Sequence, residues 1–117
     1  MTRRPIRILL QDVLDYGAEA REIVGELDAD AILAERMREH AVLRTVQIVG
    51  EACAQILDVR PQGIEGLALR EATGLRNVLV HGYAKARMER VIMTVRQDLP
   101  VLLERVSKVL ATGEEFE

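Results

Sequence analysis

Apolar residues in this chain recur every three or four positions, and that spacing constrains the fold more than any other feature. Leu9, Val13, Tyr16, Ala20, Val24 and Leu27 form one stripe, and Val42, Val46, Val49, Cys53 and Ile56 form a second. A helix turns once in about 3.6 residues, so each set lies along one face. Val91 and Val95 continue one late stripe, and Leu102, Val106 and Val109 another. No run alternates with period two, so no strands are predicted. The expected architecture is all-α: an antiparallel bundle of four main helices plus short helices. At 117 residues the chain is expected to be one domain, 1–117, with a single core. Its acidic tail, 113–117, is expected to fray.

Turn-forming residues divide the stripes. Asp28 and Asp30 mark a turn or a helix start before a short segment at 31–33. The next helix is placed at about 35–57. Arg60, Pro61, Gln62 and Gly63 are the clearest break. A shorter helix at about 65–71 leads into another that starts at Thr73, a plausible N-cap, and ends at Gly82. Asp98 followed by Pro100 suits a helix restart. Ala52, Leu57, Ile92 and Met93 widen the stripes, and a small bundle with surplus apolar surface often pairs about a twofold axis.

Composition narrows the function classes. Apolar residues make up 49 % and charged residues 30 %, the balance of a folded, water-exposed chain. No apolar run is long enough to span a bilayer. Met1, Thr2, Arg3, Arg4 and Pro5 lack the features of a signal peptide, and Cys53 is the single cysteine, so a cytoplasmic setting is expected. Cys53 itself reads as a core residue. Two histidines, His40 and His81, have no partners at a recognisable ligand spacing, so no metal site and no cofactor are expected. His40 reads as a surface residue. Ser107, the only serine, sits on a late helix and gives a Ser-His-Asp triad little support. The net charge is −3, yet the stretch from Arg70 to Arg96 holds six bases and two acids, +4, which leaves −7 elsewhere. An acidic body with one basic strip fits a protein that meets a polyanion at one place, or an ordinary solvated helix face. Aromatic stacking platforms for single strands are missing, so any RNA binding is expected to rely on phosphate contacts with weak sequence choice.

The chemistry gathers between Leu75 and Tyr83. Arg76, Asn77, His81 and Tyr83 fall in this stretch, with Gly82 allowing a turn before the tyrosine. Arginine grips phosphate through a planar fork of donors. Histidine exchanges a proton near neutral pH. These residues are a minimal kit for cleaving a phosphodiester without a metal. The residues alone also allow a reading in which Arg76 and His81 cap a helix end and face water.

The run Arg76-Asn77-x-x-x-His81-Gly82-Tyr83 resembles the signature of the HEPN superfamily in its HepT-like branch. Ile48-Val49-Gly50-Glu51-Ala52-Cys53 resembles a stretch on that family's preceding long helix, and Gln97-Asp98-Leu99-Pro100 the start of its last helix. The chain departs from the family's Pro-x-x-Trp segment, having no tryptophan. The resemblance implies a metal-independent RNA endonuclease toxin of a toxin–antitoxin pair. It also implies a homodimer in which each protomer brings Arg76 and His81 to a shared cleft. In that reading the ribose 2′-hydroxyl attacks the adjacent phosphorus, His81 moves the proton and Arg76 holds the phosphate. Asn77, Tyr83 and Glu51 support them; Glu51 either reaches from the long helix to orient Arg76 or forms a buried or rim salt bridge. The substrate is RNA, with tRNA among those to test. The implied partner is an MntA-like nucleotidyltransferase antitoxin that transfers AMP to Tyr83 and silences the site. The alternative is a non-catalytic helical module that serves as an adaptor for a nucleotidyltransferase.

Overall fold

A computed structural model describes residues 4–78, 83–113 and 116. Among them every regular element is helical: α1 (Ile6–Val24), α2 (Ala29–Ala34), α3 (Arg36–Val59), α4 (Leu69–Thr73), α5 (Ala84–Met93) and α6 (Leu99–Ala111). Four main helices and two short ones thus make the all-α bundle that the stripes predict. The stripes are the core: Leu9, Val13, Ala20 and Val24 of α1 and Val42, Val46, Val49, Cys53 and Ile56 of α3 are all buried. Ala52 and Ile92 are buried too, so they complete the core rather than widening an exposed face. No helix of the described residues is long and apolar enough to cross a membrane.

Local chemistry sets the boundaries. The backbone at Gly25 takes φ 48°, which closes α1 with its N–H on the Arg21 carbonyl. Asp28 caps α2, its carboxylate accepting from the Ala31 N–H at 2.9 Å. The helix expected over 65–71 is shorter and later. Residues 61–68 are turns and loop, with Gly63 and Gly66 at φ 73° and 87°, and α4 begins only at Leu69. Thr73 does not cap a helix start; it lies inside α4 and its hydroxyl donates to the Leu69 carbonyl. The chain then tightens into a 3-10 turn, Gly74–Asn77. The helix end expected at Gly82 lies outside the described residues.

The restart expected at Asp98 and Pro100 proves to be a widened turn in an unbroken rod. A π turn, Thr94–Asp98, joins α5 to α6, with the Leu99 N–H on the Thr94 carbonyl five residues back. Proline lacks an N–H, and its ring clashes with the carbonyl four residues earlier in an α-helix. A wider turn directly ahead of Pro100 relieves that clash without ending the helix. Pro100 therefore marks a change of helix type, which reads like a break from sequence alone.

Arginines brace the bundle. Arg7 donates to the Leu110 carbonyl, Arg38 to that of Ile23, Arg70 to that of Pro61, and Arg96 to those of Gly25 and Leu27. Arg60 spans its own turn to the Gly63 carbonyl and reaches the Phe116 carbonyl, with its guanidinium 5.6 Å from the Phe116 ring centre. Phe116 is buried, docked by the core and Arg60.

Cys53 is fully buried, and burial pushes its thiol from an ordinary value near 9 up to about 12. Between those values the unfolded chain has lost the proton that the folded chain keeps. Stability should therefore fall as pH rises through this window, by up to about 1.4 kcal/mol per pH unit from this group. Chemical denaturation of the parent and of Cys53→Ala at successive alkaline pH values checks this. The parent should lose stability more steeply than the variant.

Candidate functional site

The signature's first half is held by α3. Helix α3 packs chiefly against α1 on one side and against α4 and the 3-10 turn on the other. The closest approach is at Gly50. A Cβ built there would collide with the Arg76 backbone nitrogen and lie 2.9 Å from the Leu75 carbonyl carbon. Glycine thus lets the turn carrying Arg76 and Asn77 lie directly on the helix. One helical turn earlier, Gln47 donates from Nε2 to the Arg76 carbonyl at 3.4 Å. Its Oε1 accepts from Arg44 at 3.0 Å.

These contacts shape an open cleft of about 640 Å³. Arg76, Asn77 and Glu51, three of the expected site residues, line it together. Arg4, Asp12 and Tyr16 come to it from the α1 side, and Arg44, Gln47 and Gln55 from α3. Glu51 lines the cleft, but among the described residues it forms no ion pair with Arg76. Arg4 is paired with Asp12. His81 lies outside the described residues. Tyr83 is not in the cleft; it stands 89 % exposed just before α5. The next turn is tied to α2 by Lys85, whose Nζ is 3.2 Å from Asp30, and this hydrogen bond and charge raise the lysine's pKa. His40 is exposed, as its setting suggested.

Members of the basic strip have separate partners, and Arg87 and Arg90 line a hollow that also includes Asn77. Arg70 and Arg96 are committed to backbone carbonyls, Lys85 to Asp30, and Arg87 lies 3.9 Å from Glu39. Arg76 is the member that reaches the cleft, and the other arginines there, Arg4 and Arg44, come from outside the strip. A helical signal for the second existed. Arg44, Gln47, Glu51 and Gln55 recur every three or four residues, a polar stripe beside the apolar one. Tyr16, counted as part of the first apolar stripe, is only half-buried and adds an aromatic edge to the cleft. Among the described residues no group of three or more His, Cys, Asp or Glu gathers to hold a metal ion.

A small helical domain with an arginine-lined polar cleft is thus the class that fold and site define. The sequence profile of the family described as "Ribonuclease HepT-like" matches residues 13–109, and the chain belongs to that family. A relative from Methanocaldococcus jannaschii, provisionally named an RNase, is 27 % identical over 109 residues, covering 93 % of this chain and 100 % of its own. A second from that organism, named likewise, is 25 % identical over 116 residues, covering 98 % and 99 %. A Thermococcus cleftensis protein named probable ribonuclease HepT is 27 % identical over 103 residues, covering 85 % and 94 %. No solved structure gives a significant match.

Gly50 on α3 and Gly74 in the 3-10 turn carry different predictions. Gly50→Ala drives a methyl into backbone that has no side chain to move aside. Such overpacking costs about 1–3 kcal/mol, and the gain in helix propensity returns at most about 1 kcal/mol. Gly74 has φ −59°, and nothing lies within 4 Å of an added Cβ. Gly74→Ala should be neutral or stabilise by about 0.4–1 kcal/mol. Thermal melts of the two variants should move in opposite directions from the parent.

Proposed function

We propose that this protein is a metal-independent RNA endonuclease, the toxin of a toxin–antitoxin pair. The observation that carries the reading is the meeting of Arg76, Asn77 and Glu51 in one polar cleft, in a chain of the HepT-like ribonuclease family. The ribose 2′-oxygen attacks the adjacent phosphorus and forms the new P–O bond of a 2′,3′-cyclic phosphate. The bond to the 5′-oxygen of the next nucleotide breaks. His81 takes the hydroxyl proton or supplies one to the leaving oxygen. Arg76 holds the non-bridging oxygens as negative charge grows on them, and Asn77 adds a neutral donor. Two protomers share the cleft, as the family likeness implies; exposed Met93 and Val101 on α5 and α6 offer apolar surface for association.

Tyr83 is the off switch. A nucleotidyltransferase antitoxin of the MntA kind would join the phenol oxygen to the α-phosphorus of ATP, with pyrophosphate as the leaving group. The exposure of Tyr83 supports its role as acceptor. Each AMP brings negative charge and bulk that compete with the RNA phosphate.

Unmodified protein in EDTA should cleave single-stranded RNA, with tRNA among the substrates, and leave cyclic-phosphate ends. His81→Ala and Arg76→Ala, matched for folding and association state, should each lower kcat by about 10²–10⁴. Absence of cleavage by the parent across varied RNAs would favour the adaptor reading, and equal cleavage of DNA would exclude attack by a 2′-hydroxyl. With the antitoxin and ATP, mass spectrometry should find AMP on the parent and none on Tyr83→Phe.

A further inference from the structure

Many arginines of the described chain are committed to a partner. Arg7, Arg38, Arg60, Arg70, Arg96 and Arg105 donate to backbone carbonyls. Arg4 is paired with Asp12, and Arg87 lies toward Glu39. Within the cleft, Arg44 and Arg76 are the cations with no carboxylate partner among the described residues. Arg44 is exposed, and its one hydrogen bond to a described residue goes to a neutral amide, that of Gln47. That bond uses one of five guanidinium N–H donors and compensates none of the charge.

Gln47 is spent at both ends. Its oxygen takes the Arg44 donor and its nitrogen gives to the Arg76 carbonyl. One amide therefore ties the guanidinium of α3 to the backbone of the signature turn. A flexible arginine loses less entropy on binding when its head group is already held. The cleft is also larger than one phosphate requires, and the half-buried Tyr16 is among the residues that line it.

We propose that Arg44 binds single-stranded RNA through a phosphate next to the one held by Arg76, and that Gln47 is the positioning residue that keeps Arg44 and the signature turn in register. This deepens the ribonuclease reading and rests on it for the scissile phosphate. In it Arg44 supplies affinity, and Arg76 supplies transition-state charge as well.

The test is binding of a mixed-sequence 2′-O-methyl RNA single strand, which lacks the attacking hydroxyl, by fluorescence anisotropy over a range of salt. Each phosphate neutralised on a single strand adds about 0.7 to the slope of log K against log salt. Arg44→Ala should bind about tenfold more weakly, with the slope reduced by about 0.7. Arg44→Lys should keep the slope, because the charge remains. Gln47→Leu should weaken binding by a smaller factor with the slope unchanged, because Arg44 is freed but still charged. A folded Arg44→Ala protein with the parent's affinity and slope would overturn the proposal, and so would a parent that does not bind the strand. Binding with the expected slopes, but no cleavage of unmodified RNA by the parent, would leave the Arg44 contact standing and remove the ribonuclease reading. Cleavage with unaltered Arg44→Ala binding would do the reverse.

Discussion

The absence of one side chain, at Gly50, decides where the site lies. A glycine inside an α-helix costs about 1 kcal/mol against alanine, and α3 carries it where the Arg76 backbone comes down on the helix. With a Cβ there, the 3-10 turn would stand off, and Gln47 would no longer reach the Arg76 carbonyl at 3.4 Å. Asn77 would move with the turn. Gly17 repeats the device on the other side of the bundle, where a Cβ would come within 2.6 Å of Leu103. That second contact is softer, since a leucine methyl can move and a backbone cannot. The rigid one is at the site.

A chain with 3 % aromatic residues needs something else to tie its loops to its helices. Here that work falls to arginine. Long apolar stems cover the surface while the head groups reach carbonyls left open at turns and helix ends. Arg96 illustrates the economy. It lies in the π turn ahead of Pro100, and from there it meets two carbonyls just beyond the C-terminus of α1. Chain regions distant in sequence are joined this way: Arg7 to Leu110, Arg60 to Phe116.

The helices were legible because burial repeats with the helical period, as Val42, Val46, Val49, Cys53 and Ile56 show. Asp28 was legible as a start because its carboxylate can do one local thing, accept from the first turn. Arg76, Asn77 and Glu51, which line one cleft, are candidates that the motif and the family likeness name. Arg44 and Gln47 were not singled out, because a polar stripe on a helix is ordinarily a solvated face. What distinguishes this stripe is the turn docked against it, a contact between residues 29 apart in sequence. Pro100 misled for a related reason: proline announces that the α-helical hydrogen bond is lost, but neighbouring packing decides whether the helix ends or widens. Thr73 was read as a cap because threonine favours that role, yet its hydroxyl satisfies a carbonyl one turn back just as well.

The charge of the whole chain and the charge of the cleft act over different distances. At physiological salt the screening length is about 8 Å, so a phosphate in the cleft feels its immediate neighbours more than the acidic body beyond them. Asp12 is neutralised by Arg4, which leaves Glu51 facing Arg44 and Arg76. The local balance therefore favours an anion although the net charge is −3. An overall negative charge gives RNA no long-range attraction and little reason to bind elsewhere on the surface. In such a protein recognition has to come from short-range contacts held in advance, which is what a glycine-seated turn and an amide shared between two arginine residues provide.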